Sequence, residues 1–176
     1  MTAPALVARH RRAIGVIALL IVALGAWKGV ALTAADREAR SPLPVGTALP
    51  ASLGALLQDA TSPDRAAVVM YVSESCPHCA AEVARWDSLD NAGRLPRSLR
   101  RLLIVAPASD GRRHQASFPD LTLLDRDHRL AATLRVRMVP ITYWVDARGT
   151  IRRVTQGEQL PWAIINQAHS LVGGLE

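Results

Sequence analysis

Cysteine is scarce in this sequence, with two residues among 176. Both belong to one tetrapeptide, Cys76-Pro77-His78-Cys79, and no second pair of this kind exists. Structural zinc needs about four ligands, so this shortage disfavours a zinc site, and no bound metal is expected. A disulfide that closes so short a loop removes little entropy from the unfolded chain, which disfavours a purely structural bond. The tetrapeptide is therefore interpreted first as a site of thiol chemistry.

Acidic residues are absent from the first 35 positions, which carry Arg9, Arg11, Arg12 and Lys28. From Asp36 onward, 17 basic residues face 15 acidic ones, so most of the formal charge of +6 belongs to the N-terminal segment. Aromatic residues are also few, at 4% of the chain, and the basic residues are not interleaved with them. This distribution lacks the clustered basic face of nucleic-acid-binding proteins, so a nucleic-acid partner is not expected.

An apolar run occupies residues 13–35. As a helix it would be about 34 Å long, enough to span a hydrocarbon core of roughly 30 Å. The positive-inside rule then predicts that residues 1–12 are a basic cytoplasmic N-terminus and that the C-terminal part is exported. A cleaved signal peptide and an ordinary buried helix are the alternatives. Residues 36–44 are predicted to be a linker, and residues 45–176 a single domain.

The exported part alternates patterns typical of strands and helices. Apolar, β-branched runs of strand length lie at residues 66–73, 102–106, 121–124, 141–145 and 151–154. Helices are predicted from the cysteine motif to about Asn91, from Asp125 to Leu134, and from Pro161 onward with Trp162, Ile165 and Leu171 as packing residues. Residues 53–57 fit either a helical turn or a strand. This order of elements predicts an α/β layered domain.

The cysteine motif follows a strand and opens a helix, with Pro77 suited to the first helical turn. At a helix N-terminus, free N–H groups and the helix dipole favour a thiolate, so Cys76 is predicted to be the attacking nucleophile. Cys79 lies one turn further on and is predicted to be the more buried, resolving thiol. His78 lies between them and is expected to stabilise the Cys76 thiolate, which would make the disulfide a stronger oxidant.

The motif resembles the redox site of the thioredoxin superfamily, in which a cis-proline loop faces the two cysteines. Residues 138–142, Met-Val-Pro-Ile-Thr, are similar to that loop and lie directly before a predicted strand pair. The resemblance implies a thioredoxin-like α/β fold, in which helices flank a central mixed sheet. It also implies a cis Val139–Pro140 bond, contact between this loop and the Cys76 sulfur, and backbone groups of Val139 that face a bound substrate.

Residues 123–149 look like the membrane-anchored periplasmic thiol–disulfide oxidoreductases of the TlpA and ResA type, and residues 45–50 resemble the start of their domain. This resemblance covers most of residues 45–176. It implies an enzyme of the bacterial inner membrane with a single membrane pass and a periplasmic C-terminal domain. Such an enzyme reduces or exchanges disulfides of exported proteins, needs no cofactor, and works with a redox partner protein in or at the membrane.

Two positions depart from the family pattern. Thioredoxins usually carry a buried acid six residues before the first cysteine, where this chain has Met70. Glu74 is the candidate substitute for that acid, with a solvated side chain as the alternative. Ser75 stands where many relatives have tryptophan.

The sequence does not decide whether the protein reduces or oxidises its clients. The Cys-Pro-His-Cys motif and the valine before Pro140 resemble DsbA, the periplasmic oxidant, so a dithiol oxidant is the first alternative. Only 64 positions separate Cys76 from Pro140, which leaves little room for the helical insertion of a DsbA-type protein. The second alternative is a copper-binding chaperone that uses Cys76 and Cys79, and the third is a non-catalytic thioredoxin-like module.

Overall fold

The computed structural model of the protein describes residues 41–57, 65–108 and 117–173. The chain divides into two units between Arg40 and Ser41, and the described residues all belong to the second unit. The predicted cytoplasmic segment 1–12 and membrane helix 13–35 lie outside the described residues. Among the helices that are described, none is long and apolar enough to cross a membrane.

The described ranges contain four helices and five strands. In chain order they are α1 (Ala51–Leu57), β1 (Ala67–Ser73), α2 (Pro77–Asn91), β2 (Arg100–Ala106), β3 (Leu121–Leu124), α3 (Arg129–Thr133), β4 (Ile141–Val145), β5 (Ile151–Gln156) and α4 (Pro161–Gly173). The five strands form one sheet in the order β3-β2-β1-β4-β5. β1 pairs in parallel with β2, and β2 with β3, whereas β1–β4 and β4–β5 are antiparallel. The sheet is therefore mixed, as the resemblance implies.

Both faces of the central strand β1 are covered, which explains why its sequence is a continuous apolar run. Successive side chains of a strand point to opposite faces of the sheet. Val68, Met70 and Val72 accordingly pack in a cluster with residues of α2 and α4, including Trp86. The alternate residues of β1 pack in a second cluster with α1 and with Leu134, just after α3.

The strand register sets which loops meet at one end of the sheet. Tyr71 near the end of β1 pairs with Ile141, the first residue of β4. Ile141 in turn pairs with Gln156, the last residue of β5. The segment after β1, the loop before β4 and the segment after β5 therefore lie together, and the cysteine motif is the first of these three.

Three sequence predictions need correction. The helix predicted from Asp125 is the short α3, but the Asp125 carboxylate still accepts the N–H groups of Leu130 and Ala131 at 3.1 and 2.8 Å. Trp162 does not pack, because it lies on the outer face of α4 and is 62% exposed, whereas Ile164 and Ala168 are buried. Two strands are longer than predicted, because β2 begins at Arg100 and not at residue 102, and the last strand extends two residues beyond residue 154.

Candidate active site

The two cysteines lie at the junction between β1 and α2. Cys76 is the residue that caps α2, with extended backbone angles, and its Sγ atom accepts the N–H of Cys79 at 3.3 Å. Pro77 occupies the first turn of the helix, where its missing N–H leaves no hydrogen bond unmade. Because Cys76 stays outside the helix while Cys79 is inside it, Cys76 is partly exposed and Cys79 is fully buried.

Burial has a direct effect on the acidity of the second thiol. Desolvation, followed by the hydrogen bond with Cys76, raises the pKa of Cys79 to about 12, and the negative charge of Glu82 contributes in the same direction. Cys79 is consequently a neutral thiol at physiological pH. A step that requires its thiolate must therefore remove a proton from a buried group.

The loop before β4 lies against the first cysteine. The Val139–Pro140 peptide bond is cis, as expected. The carbonyl oxygen of Val139 accepts a hydrogen bond from the Cys76 thiol at a donor–acceptor distance of 3.8 Å. Val139 is half-buried and Pro140 is buried, whereas the neighbouring Met138 is 56% exposed. The loop and the Cys76 sulfur are therefore in contact.

A buried carboxylate that the sequence analysis did not single out lies one helical turn beyond Cys79. Glu82 has no exposed surface. Its Oε1 accepts hydrogen bonds from Trp86 Nε1 at 3.0 Å and Gln159 Nε2 at 3.4 Å. Its Oε2 accepts from an Arg85 guanidinium nitrogen at 2.6 Å and from the Gln159 N–H at 3.0 Å. The spacing of Cys79, Glu82 and Trp86 on one helix face is the signal that could have revealed it.

Glu74, the candidate substitute acid, makes its hydrogen bond with the backbone just after β2. It is buried in the turn after β1, and its Oε2 accepts the N–H of Ala108 at 2.8 Å. Met70 is fully buried in the cluster that contains Cys79, where the family pattern has an acid. Glu82, whose charge raises the pKa of Cys79, is therefore the carboxylate that the structure associates with the second thiol.

His78 lies on the surface, with 71% of its side chain exposed. Its Nδ1 is 2.7 Å from Oε1 of Glu158, in the segment between β5 and α4. The other oxygen of Glu158 accepts a hydrogen bond from Arg85 at 3.1 Å. The hydrogen bonds from His78 and Arg85 hold the pKa of Glu158 below its usual value. His78 is thus paired with a carboxylate that is distant in sequence.

The structure offers no candidate metal centre within the residues that it describes. No group of three or more His, Cys, Asp and Glu side chains is placed there to hold an ion. His78, the histidine nearest to the cysteines in sequence, is engaged with Glu158.

No protein-family model matches the chain. No curated protein sequence matches it either.

Several solved structures share its fold. A secreted disulfide oxidoreductase of Mycobacterium tuberculosis, homologous to E. coli DsbE, has 20% identity and a TM-score of 0.54, over 66% of this chain and 86% of that one. A putative thiol:disulfide interchange protein DsbE from Chlorobium tepidum has 14% identity and a TM-score of 0.55, over 71% and 95%. A thioredoxin family protein from Chlorobium tepidum has 14% identity and a TM-score of 0.51, over 64% and 83%.

These likenesses, together with the strand order and the mixed sheet, show that the described residues between 41 and 173 adopt a thioredoxin-like fold. The predicted α/β fold class is confirmed for this part of the chain.

Proposed function

We propose that this protein is an extracytoplasmic thiol–disulfide oxidoreductase that reduces or exchanges disulfides of exported proteins through Cys76 and Cys79. The observation that carries the proposal is the pairing of a partly exposed thiol with a buried one at the start of α2, beside the Val139 carbonyl. The names of the similar structures, a disulfide oxidoreductase and thiol:disulfide interchange proteins, support it.

The reaction is a two-step exchange. The Cys76 thiolate attacks one sulfur of a client disulfide, and the other client sulfur leaves as a thiolate that takes a proton from solvent. Cys79 then loses its proton to solvent and attacks the Cys76 sulfur of the mixed disulfide, which releases the second client sulfur as a thiolate that also takes a proton from solvent. The client gains two electrons and two protons, and Cys76 and Cys79 become a disulfide. A dithiol partner protein in or at the membrane regenerates the pair by the same exchange.

Each supporting residue has a place in this scheme. Pro77 leaves the start of the helix open, so Cys76 can cap it and remain accessible. The backbone of Val139, beside cis Pro140, faces the space that a client strand enters next to the sulfur. Burial keeps Cys79 protonated until the mixed disulfide forms, because its raised pKa opposes the thiolate.

The cellular setting is part of the proposal. An apolar segment at residues 13–35 preceded by basic residues predicts a single-pass anchor in the bacterial inner membrane, with the thioredoxin-like domain in the periplasm. Fusing a reporter that is active only after export to the C-terminus tests this orientation. Activity of this reporter supports the predicted orientation. An inactive reporter, together with activity of a second C-terminal reporter that works only in the cytoplasm, contradicts it.

A trapping experiment on the full chain tests the exchange. The Cys79→Ser variant should accumulate mixed disulfides with exported proteins, because Cys76 still attacks and nothing resolves the product. The Cys76→Ser variant is the matched control and should trap none. Equal trapping by both variants, or by neither, contradicts the mechanism.

The reduction potential of the full chain decides the direction of electron flow. A value near about −270 mV, as in thioredoxin, corresponds to a reductant, and a value near about −120 mV, as in DsbA, to a dithiol oxidant. We expect an intermediate value closer to the reductive end. The presence of His78 in the motif favours the oxidant alternative, because a positive imidazolium would stabilise the Cys76 thiolate. The pairing of His78 with Glu158 weakens this argument, because the carboxylate offsets that charge.

A further inference from the structure

The segment between β5 and α4 contacts the redox site at three successive residues. The N–H of Gly157 donates to the carbonyl of Pro140 at 2.8 Å. Glu158 pairs with the exposed His78 of the motif, and Gln159 donates two hydrogen bonds to buried Glu82. The register of β4 and β5 brings this segment to the same end of the sheet as the cysteines.

Glu158 is the only one of these three residues that carries a charge, and it uses both carboxylate oxygens. Oε1 is 2.7 Å from His78 Nδ1, and Oε2 is 3.1 Å from a guanidinium nitrogen of Arg85. Arg85 also pairs with Glu82, so His78, Glu158, Arg85 and Glu82 form a continuous chain of paired side chains from the surface to the interior. The side chain of Glu158 is 36% exposed, and that of Arg85 is 24% exposed.

We propose that Glu158 is a positioning residue of the redox site, which fixes the His78 imidazole and offsets its charge, and thereby keeps the Cys76–Cys79 pair less oxidising than its histidine would make it alone. This inference rests on the proposed function and deepens it by naming a residue that regulates the redox site. His78 lies two residues after Cys76, in the first turn of α2, and an opposite charge near a thiolate favours its ionised form.

The direction of the effect follows from the charges. The Cys76 thiolate exists only in the reduced protein, so a nearby positive charge stabilises the reduced state and raises the reduction potential. Glu158 places a negative charge next to His78 and Arg85, which reduces the positive field at the sulfur. Replacing Glu158 with glutamine keeps a hydrogen-bonding side chain of similar shape and removes only the charge. The Glu158→Gln variant should therefore be more oxidising than the wild type.

A double-mutant cycle on the full chain tests the inference. The variants are Glu158→Gln, His78→Ala and their combination, each equilibrated with glutathione buffers at pH 6. The charged group that contacts His78 is Glu158 from the β5–α4 segment, and Glu158 in turn pairs with Arg85.

At pH 6, Glu158→Gln should shift the equilibrium toward the reduced dithiol by roughly three- to tenfold, where tenfold corresponds to about 30 mV. The shift should be less than about twofold when His78 is alanine, because the two side chains then no longer interact. A change within twofold of wild type at pH 6, or the same shift with and without His78, overturns the inference.

Asp127→Asn is the matched control. Asp127 is also an exposed carboxylate in an ion pair, with Arg129 at 2.8 Å. Arg129 begins α3, whose apolar residues pack on the opposite face of the sheet from Cys79. The control should leave the equilibrium unchanged, and an equal shift in it would attribute the effect to net charge and overturn the assignment to Glu158. A purely structural role for Glu158 would change the melting temperature and leave the potential unchanged, which also contradicts the inference.

The outcome is separable from that of the proposed function. The proposed function fails if the Cys79→Ser variant traps no clients, whatever the potentials of the Glu158 variants are. The inference fails if clients are trapped normally and the potentials do not depend on Glu158. The glutathione equilibrium needs no client, so the two results are obtained independently.

Discussion

The Sγ atom of Cys76 accepts the backbone N–H of Cys79 at 3.3 Å. This contact places the first sulfur at the open end of α2, where unpaired N–H groups and the helix dipole favour negative charge. Cys79 lies in the same helical turn and is buried in the apolar cluster that contains Met70 and Trp86. One local backbone arrangement therefore creates both the exposed and the buried thiol.

Alkylation of the reduced full chain should modify Cys76 much faster than Cys79 at every pH below about 9. Cys76 is partly exposed, whereas Cys79 is fully buried with its pKa raised to about 12, so few Cys79 thiolates exist to react. Mass spectrometry of peptides after timed labelling measures both rates. Faster labelling of Cys79 at mildly acidic pH would reverse the assignment of nucleophile and resolving thiol.

Replacing Glu82 with glutamine should lower the pKa of Cys79, because the negative charge of Glu82 is one of the causes that raise it. The thiol should still titrate above its ordinary range, since burial is the largest cause. The variant should also be less stable by about 1–3 kcal/mol, because the amide group cannot accept all four hydrogen bonds that the carboxylate accepts.

The measurement for Glu82→Gln is a pH series of labelling at Cys79 in a Cys76→Ser background, with chemical denaturation for stability. Glu74→Gln is the matched control, because Glu74 is also buried and accepts its hydrogen bond from the N–H of Ala108, and its charge is not among the causes that raise the pKa of Cys79. An equal change in Cys79 titration in both variants would show that Glu82 has no particular influence on this thiol.

The parts of the fold that could be predicted from the sequence are those that depend on local patterns. β3 and β4 have the predicted bounds, since a short apolar run ends at recognisable turn residues. The start of α2 follows from the proline after Cys76, which suits a first helical turn. The family resemblance supplies the mixed sheet and the cis Val139–Pro140 bond, both of which the structure shows.

The rest depends on contacts between distant residues. Glu158 and His78 are 80 positions apart, and only the register of three strands brings them together. Glu82 is a carboxylate on an apolar helix face, which ordinary residue preferences exclude, because its hydrogen-bond donors come partly from Gln159, 77 positions away. The packing predicted for Trp162 is wrong because its exposure depends on which face of α4 meets the sheet.

Asp87→Ala should destabilise the domain by about 2 kcal/mol or more. One oxygen of Asp87 accepts hydrogen bonds from the N–H and hydroxyl of Ser117 and from the N–H of Phe118, at 2.7–3.0 Å. Phe118 packs on Trp86, a residue of α2, with ring centroids 5.6 Å apart. Chemical denaturation followed by tryptophan fluorescence measures the loss. Asp127→Ala, at an exposed ion pair, is the control and should change stability by less than about 0.5 kcal/mol.

The stability of the domain should fall as the pH drops below about 4, and Asp125 should contribute to this fall. Burial by itself raises the pKa of Asp125, but hydrogen bonds from Tyr71, Ala131 and Leu130 outweigh it, so the pKa lies below its ordinary value. A carboxyl group with a lowered pKa in the folded state binds its proton less readily than in the unfolded chain. Its stabilising contribution is therefore complete above the unfolded-state pKa and is lost as the pH falls through the folded-state value.

Asp125→Asn tests this dependence. The variant should be less stable than the wild type at pH 7, because its neutral amide replaces a carboxylate that accepts three hydrogen bonds. The difference in the free energy of unfolding between the two proteins should shrink as the pH is lowered from 5 toward 2, since the wild type then loses the contribution of the ionised group. Denaturation curves at several pH values provide the measurement. A difference that stays constant or grows across this range would mean that the ionised form of Asp125 does not stabilise the fold.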